Sequence, residues 1–203
     1  MPLDYDKLFS RMPEGDLASA AVEFASTTLI HEWMAEYKLM TPHATNIVRV
    51  ALETFTYVYD LYSELEAMGE VPYSKDIEDR LVAAFGTSKP PAYAREAGRL
   101  RGWIGPTEEF LGAGRDKGHF IAHSIGGHID RFEINLFSQS RRANRGWSVG
   151  GKRYRRMEKY CAANPGTFCF TRPLYGDQTS KPSGLEFGIL RPDRTLWAER
   201  FDN

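Results

Sequence analysis

The chain has 203 residues, 42% hydrophobic and 26% charged, a composition that can bury a core and that excludes an intrinsically disordered protein. No run approaches the roughly 18 consecutive apolar residues of a membrane span, and the polar N-terminus excludes a secretory signal, so we expect a soluble protein that is cytoplasmic as synthesised and has no membrane partner. The two cysteines, Cys161 and Cys169, lack the Cys/His spacing of a zinc site; they form either one disulfide or, as we prefer, two buried free thiols.

Helical periodicity dominates the first 86 residues, where apolar residues recur about every 3.6 positions. A first helix is predicted from about Leu17 to Lys38, with Asp16 as its N-cap. A second is predicted from Thr41, which precedes a proline, to Gly69, and a third from Ser74 to Gly86. The first half of the chain is therefore expected to be helical.

A proline-containing segment, Thr87–Pro91, interrupts the helical pattern, and we place a domain boundary between residues 88 and 89. The expected architecture is α+β, with a helical domain of unassigned role at 1–88 and a second domain at 89–203. That second domain is predicted to hold a helix at Lys152–Ala163 and short strands at His119–His123, Thr167–Leu174, Gly184–Leu190 and Thr195–Phe201.

The net charge of −1 conceals opposite charges in the two halves. Residues 1–100 carry 9 Lys and Arg against 16 Asp and Glu, whereas residues 101–203 carry 17 against 11. The imbalance is sharpest between residues 138 and 160, where Glu158 is the one acid among these basic residues: Arg141, Arg142, Arg145, Lys152, Arg153, Arg155, Arg156 and Lys159. Such a cluster fits either a polyanionic partner or a solvated helix face.

Cleavage of a polyanionic nucleic acid requires an activated water, and positive charge on the scissile phosphate and the leaving oxygen. Histidine is a natural base for this step because its pKa lies near neutrality. Mg²⁺ takes oxygen ligands and retains several of its waters, so a site of this kind needs very few protein ligands. The sequence has no dense cluster of carboxylates or cysteines, but this does not exclude a metal site of this kind.

Seven segments in the second half follow one another in a specific order and spacing. Asp116-Lys117-Gly118-His119 is followed by a Gly-Gly pair at 126–127, then by Asn-Leu-Phe-Ser-Gln at 135–139. Asn144 lies nine residues after Asn135, in an Asn-Arg-Gly triplet. Arg-Met-Glu follows at 156–158, then Pro-Leu-Tyr-Gly-Asp at 173–177 and Lys-Pro-Ser at 181–183.

From about Ala92 to Asn203 this pattern resembles the non-specific DNA/RNA endonucleases of the ββα-metal (His-Me finger) superfamily, in their bacterial toxin-like branch. The resemblance implies a ββα-metal nuclease domain with a central antiparallel sheet at 89–203. It implies that His119 is the general base, that Asn144 binds Mg²⁺ or another divalent cation such as Mn²⁺, and that Glu158 supports the water shell of the metal.

The resemblance also implies supporting and substrate-binding residues. Asp116, Gly118 and Asn135 would shape the site, with Asn135 holding His119 or the neighbouring loop. The residues expected to contact phosphate are Lys117, Arg141, Arg142, Arg145 and, from a separate segment, Arg99. His123 and His128 are expected to be structural, although His123 could share a strand face with His119 and support it.

Three departures from the family pattern stand out. Lys117 replaces an arginine, which keeps the charge but loses bidentate phosphate geometry, and Ser138 replaces a proline. Asn144 and Glu158 are farther apart than the family sets them along one helix, and an insertion at Trp147–Lys152 would account for this. The glycines at 146, 150 and 151 make one continuous helix between the two residues improbable.

The principal functional hypothesis is a metal-dependent, sequence-tolerant endonuclease that acts on DNA and on RNA. An antibacterial toxin or effector is one biological setting, with an acidic inhibitor or immunity protein as partner and export by a signal-independent route. The alternative is a catalytically silent nucleic-acid-binding or regulatory protein on the same scaffold. A third hypothesis is a nuclease-like domain whose main role is to bind a protein partner.

Overall fold

The computed structural model describes residues 3–92, 112–128 and 133–203. Within these residues the fold is mixed α+β, as expected, and no described helix is long and apolar enough to cross a membrane. A π-helical turn at Ala25–Leu29 joins the second and third helices. The helices are α1 (Tyr5–Phe9), α2 (Leu17–Phe24), α3 (Ile30–Leu39), α4 (Tyr62–Met68), α5 (Arg141–Asn144) and α6 (Val149–Ala163).

Two antiparallel sheets make up the β structure of the described residues. The central sheet has six strands in the order β1-β2-β3-β6-β7-β8, and a separate two-stranded sheet pairs β4 with β5. The strands are β1 (Ile47–Leu52), β2 (Phe55–Asp60), β3 (Arg80–Thr87), β4 (Arg115–His119), β5 (Leu136–Ser140), β6 (Phe168–Leu174), β7 (Gly184–Leu190) and β8 (Leu196–Asp202).

The central sheet separates two hydrophobic cores. Helices α1–α3 pack on one face, where Trp33 meets Phe85 and Phe170. On the opposite face lie β4, β5 and α6, whose Met157 is fully buried. Because side chains alternate along a strand, β6 directs Phe170 to the helical core and Cys169 to the other one. The sheet is thereby covered on both faces.

The prediction of an all-helical first half is wrong beyond residue 40. The expected helix from Leu17 to Lys38 is present as α2 and α3, with the Asp16 side chain accepting a hydrogen bond from the Ser19 amide at 2.9 Å. The second predicted helix is instead the β1–β2 hairpin followed by α4, and Gly69 ends α4 in a left-handed conformation. The third is the strand β3.

The predicted boundary at residues 88 and 89 falls inside packed structure. Strand β3 pairs directly with β6, so the central sheet contains strands from both halves of the chain. Ser88 is buried, and its hydroxyl lies 3.1 Å from the Cys161 carbonyl and 3.2 Å from the Asn164 carbonyl at the end of α6. An independent helical domain at 1–88 does not describe this arrangement.

The elements predicted in the second half agree more closely with the structure. Strands β6, β7 and β8 and helix α6 occur within a few residues of the expected positions. The predicted strand at His119–His123 is wrong, because the strand β4 ends at His119 and a loop follows it. Cys161 and Cys169 are both free and fully buried.

Candidate active site

A strand–strand–helix unit carries most of the residues selected from the sequence. Strands β4 and β5 pair so that Asp116 lies opposite Gln139 and His119 opposite Leu136. Helices α5 and α6 follow β5 directly in the chain. Gly118 is required in β4 because a Cβ atom there would lie 2.5 Å from the Gln139 side chain. The glycine thus allows the two strands to bring His119 and Gln139 close to each other.

Asn135 holds the loop that follows His119. Its side-chain oxygen accepts a hydrogen bond from the Ile121 amide at 2.8 Å, and its side-chain nitrogen donates to the carbonyls of Ile121 and His128, each at 2.7 Å. The residue is completely buried, so removal of its side chain would leave backbone polar groups unpaired in the core. Asn135 therefore occupies the loop-holding position that the resemblance implies.

Asp116 anchors helix α5 to strand β4. Its carboxylate accepts hydrogen bonds from Arg141 Nε at 3.0 Å, from Arg145 Nε at 2.9 Å and from Asn144 Nδ2 at 3.2 Å. Partial burial opposes ionisation of Asp116, but these hydrogen bonds together keep its pKa below the usual range. Because the Asn144 nitrogen faces Asp116, the side-chain oxygen of Asn144 points away from that carboxylate.

The chain turns sharply between α5 and α6. Gly146 has a φ of +67°, and the Ser148 hydroxyl caps α6 by accepting a hydrogen bond from the Gly151 amide at 2.9 Å. Within α6, Gly151 lies against α5, since a Cβ atom at this position would be 2.5 Å from the Ala143 carbonyl oxygen. Asn144 and Glu158 therefore belong to two helices in close contact, and not to one continuous helix.

One cavity of about 420 Å³ lies at the junction of β4, β5, α5 and α6. Five residues selected from the sequence line it, namely Lys117, His119, Asn144, Arg145 and Glu158. The other lining residues are Ala122, His123, Ser124, Gln139, Tyr154 and Arg155. The candidate base, the candidate metal ligand and the candidate acid consequently share a single polar depression.

Glu158 occupies a partly buried position on the α6 side of this cavity. Burial raises the pKa of its carboxyl group to about 7, although the Arg155 guanidinium acts in the opposite direction. Tyr154, one turn earlier on α6, packs against Phe187 and Phe201 with ring centroids 5.2 and 5.1 Å apart, which fixes the helix on strands β7 and β8. The helix that carries Glu158 is thus fixed on the sheet, and burial makes its carboxyl group easier to protonate than an ordinary glutamate.

These residues fit a hard divalent cation. Within residues 3–92, 112–128 and 133–203, no group of three or more His, Cys, Asp and Glu is arranged to hold a metal. An amide oxygen from Asn144, with the Glu158 carboxylate beside the water shell, would not form such a group, yet it would suit Mg²⁺, which keeps most of its waters. A cavity of about 420 Å³ leaves space for those waters, each of which occupies roughly 30 Å³.

The residues expected to contact phosphate are placed in different ways. Lys117 and Arg145 line the cavity, and Arg142 is exposed on α5. Arg141 is turned toward β4 by Asp116 and by the Arg115 carbonyl, and it does not line the cavity. Arg99 lies outside the described residues.

Sequence reasoning did not select Gln139, Tyr154 or Arg155 as site residues. Gln139 was within the Asn-Leu-x-x-Gln segment, and its pairing opposite Asp116 explains its position at the cavity. Tyr154 and Arg155 precede Glu158 by four and three residues, which places all three on one side of a helix. That helical spacing was the available signal for both.

A second cavity, of about 290 Å³, lies on the helical face of the central sheet. Three of its charged groups, Arg80, Arg172 and Glu186, have partners within the fold. Arg172 forms a buried ion pair with Glu186 at 2.8 Å, and the Arg80 guanidinium lies 4.9 Å from the ring centroids of both Tyr37 and Tyr175. The residues selected from the sequence do not line this cavity, which we interpret as part of a buried polar network.

The chain matches no model of a known protein family, and a search of the curated proteins finds no match either. The functional argument therefore depends on the residues and on their geometry.

Proposed function

We propose that the chain is a metal-dependent endonuclease that hydrolyses phosphodiester bonds of DNA and RNA with little sequence specificity. The observation that carries the proposal is the shared cavity lined by His119, Asn144 and Glu158. These residues span 39 positions of the sequence, and the family resemblance implies a role at one site for each of them. Their convergence at one polar site supports the assignment.

In the proposed mechanism His119 acts as the general base that takes a proton from the attacking water. Asn144 would hold Mg²⁺ through its side-chain oxygen, which Asp116 orients by binding the nitrogen of the same amide. The cation, when bound, supplies positive charge to the scissile phosphate and the leaving oxygen. Glu158 would accept hydrogen bonds from water molecules around the cation.

Basic side chains at the cavity would bind the substrate backbone. Lys117 and Arg155 line the same depression as His119, and both carry charge that attracts phosphate. Contacts to phosphate carry no sequence information, so such a site would tolerate many sequences. This arrangement supports a non-specific nuclease in preference to one that reads base edges.

A plasmid-cleavage assay tests the proposal. We expect the purified protein to nick and degrade plasmid, and to degrade RNA, when Mg²⁺ is present. Cleavage of both is expected to stop in excess chelator. His119→Ala is expected to lower the rate by about 10²- to 10⁴-fold, the usual contribution of a general base. The matched control is His31→Ala, which changes an exposed histidine on α3 far from the cavity and is expected to leave the rate unchanged.

An active His119→Ala variant would contradict the assignment of the base. Salt-dependent binding of nucleic acid, with no cleavage under any divalent cation, would instead assign the chain as a catalytically silent binding protein.

A further inference from the structure

Trp147 is an exposed aromatic residue in the turn between α5 and α6. It is 60% exposed, and the neighbouring Val149 is 74% exposed. The position of Trp147 is fixed by the backbone, because Gly146 before it adopts a φ of +67° and the Trp147 amide donates to the Arg142 carbonyl at 2.8 Å. The backbone that carries this apolar ring is thus held in a defined place, two residues after Arg145, which lines the cavity.

Arg145 connects this ring to the candidate site. Its guanidinium lies over the Trp147 ring, 5.2 Å from the centroid, while its Nε and one terminal nitrogen bind Asp116 at 2.9 and 3.4 Å. Asp116 also binds the Asn144 side chain. The indole, the cavity wall and the candidate metal ligand therefore belong to one hydrogen-bonded and stacked assembly.

Trp197 is an indole with a structural role in this fold, and its surroundings can be compared with those of Trp147. Arg191 lies over its ring at 4.9 Å, as Arg145 does over Trp147. Trp197, however, is partly buried, donates to Glu199 at 2.9 Å and packs against Tyr160, with ring centroids 6.5 Å apart. The exposure of Trp147 has no such explanation in core packing.

The surroundings of Trp147 carry positive charge. Arg142 and Arg155 are exposed on α5 and α6, and the Arg155 side chain packs against Gly146, since a Cβ atom there would lie 2.9 Å from Arg155 Cδ. An exposed aromatic face inside a basic surface is the combination with which proteins bind single-stranded nucleic acid: the cations follow the backbone and the ring stacks on a base. A duplex does not offer such a face, because its bases are stacked on each other.

We propose that Trp147 stacks on an unpaired base next to the scissile phosphate, so that the preferred substrates are single-stranded DNA and RNA. The proposal rests on the proposed function because it places the stacked base next to a phosphate that is cleaved. Base stacking on Trp147 is a binding event, however, and it can be measured without metal or hydrolysis. The two proposals can therefore fail separately.

The experiment measures binding in excess chelator. A short fluorescein-labelled single strand and its duplex are titrated with the full chain, and anisotropy and tryptophan emission are recorded. Trp147→Leu is expected to weaken single-strand binding by about 5- to 100-fold, the range for loss of one stacked base, and to change duplex binding little. Trp147→Phe keeps an aromatic face and is expected to retain most of the single-strand affinity.

Trp197→Phe serves as the matched control. It removes the second Arg-stacked indole of the described residues, and it is expected to keep both the affinity and the quenching of tryptophan emission by the single strand. In Trp147→Phe that quenching is expected to disappear while binding persists. Together the two variants assign the optical signal to one ring.

Equal single-strand affinity of Trp147→Leu and the parent overturns the inference, whether or not the parent cleaves plasmid. An equal loss for single strand and duplex also overturns it, because the ring would then support binding in general. Loss of single-strand binding through Trp147 in a parent that cleaves nothing with any divalent cation upholds the stacking and refutes the nuclease. No binding by the parent of either substrate at low salt refutes the stacking directly.

Discussion

Replacement of the Glu158 carboxyl by an amide is expected to make the metal-free protein more stable at alkaline pH. The pKa of Glu158 is raised from 4.5 to about 7 by burial, so the folded state favours the protonated form. A group with a raised folded-state pKa contributes stability that is fully present below its unfolded value of 4.5 and is lost as the pH rises through about 7. Glu158→Gln removes this dependence while keeping the shape of the side chain.

The magnitude follows from the same two pKa values. Each pKa unit corresponds to about 1.4 kcal/mol, so the parent loses roughly 3 kcal/mol through Glu158 between acidic and alkaline pH. At about pH 4 the variant and the parent should have nearly equal free energies of unfolding, and at about pH 8 the variant should be more stable by roughly 2 to 3 kcal/mol. Comparison of variant with parent at each pH cancels the contributions of the other titrating groups.

Urea denaturation in excess chelator measures the difference. Glu23→Gln, which changes an exposed carboxylate on α2, is the control and is expected to follow the parent at both pH values. Excess Mg²⁺ at alkaline pH should reduce the difference in free energy of unfolding between variant and parent, because a ligand that binds the folded parent stabilises it. A Glu158→Gln variant no more stable than the parent at about pH 8 would refute the argument that burial of this carboxylate carries a cost.

Two further substitutions test the geometry of the site. Asp116→Asn is expected to lower metal-dependent cleavage by about 10- to 100-fold, because the orientation of Asn144 is lost. It is also expected to raise the Mg²⁺ concentration needed for half-maximal rate. A Mg²⁺ titration of plasmid nicking that matches the parent would contradict this. Gly151→Ala is expected to destabilise the fold by about 1 to 3 kcal/mol in urea denaturation, since its Cβ would lie 2.5 Å from the Ala143 carbonyl oxygen. Its control is Gly150→Ala, where the new Cβ makes an ordinary 3.7 Å contact and the better helix propensity of alanine should leave stability equal or up to about 1 kcal/mol higher.

The sequence predicts those elements whose signals are local. Asp16 and the apolar spacing after it identify α2 and α3 because the cap and the buried stripe lie within one segment. The β1–β2 hairpin was missed because its apolar positions also fit a helix, although Val, Thr and Tyr are frequent there. Its turn gives no glycine or asparagine signal, since Glu53 itself adopts a φ of 60°.

Strand β3 was missed for a different reason. Seven of its eight residues are buried, so the sequence shows a continuous apolar run without the alternation that identifies a half-exposed strand. The candidate site was predictable in part because motif spacing identified His119 and Asn144. The turn at Gly146 and the contact between Gly151 and Ala143, which bring Glu158 to the same cavity, depend on packing that no local pattern encodes.

Because β3 pairs directly with β6, the central sheet can close only after both strands have been synthesised. Thr87 pairs with Phe168, so closing the central sheet loops out residues 88–167, which include every residue of the proposed catalytic cavity. Closing a loop of this length costs about 4 kcal/mol of chain entropy before contacts compensate it, and such long-range pairing is slow. A nascent or truncated chain that lacks either partner strand would have no assembled cavity, so the proposed activity is expected only after synthesis has passed β6.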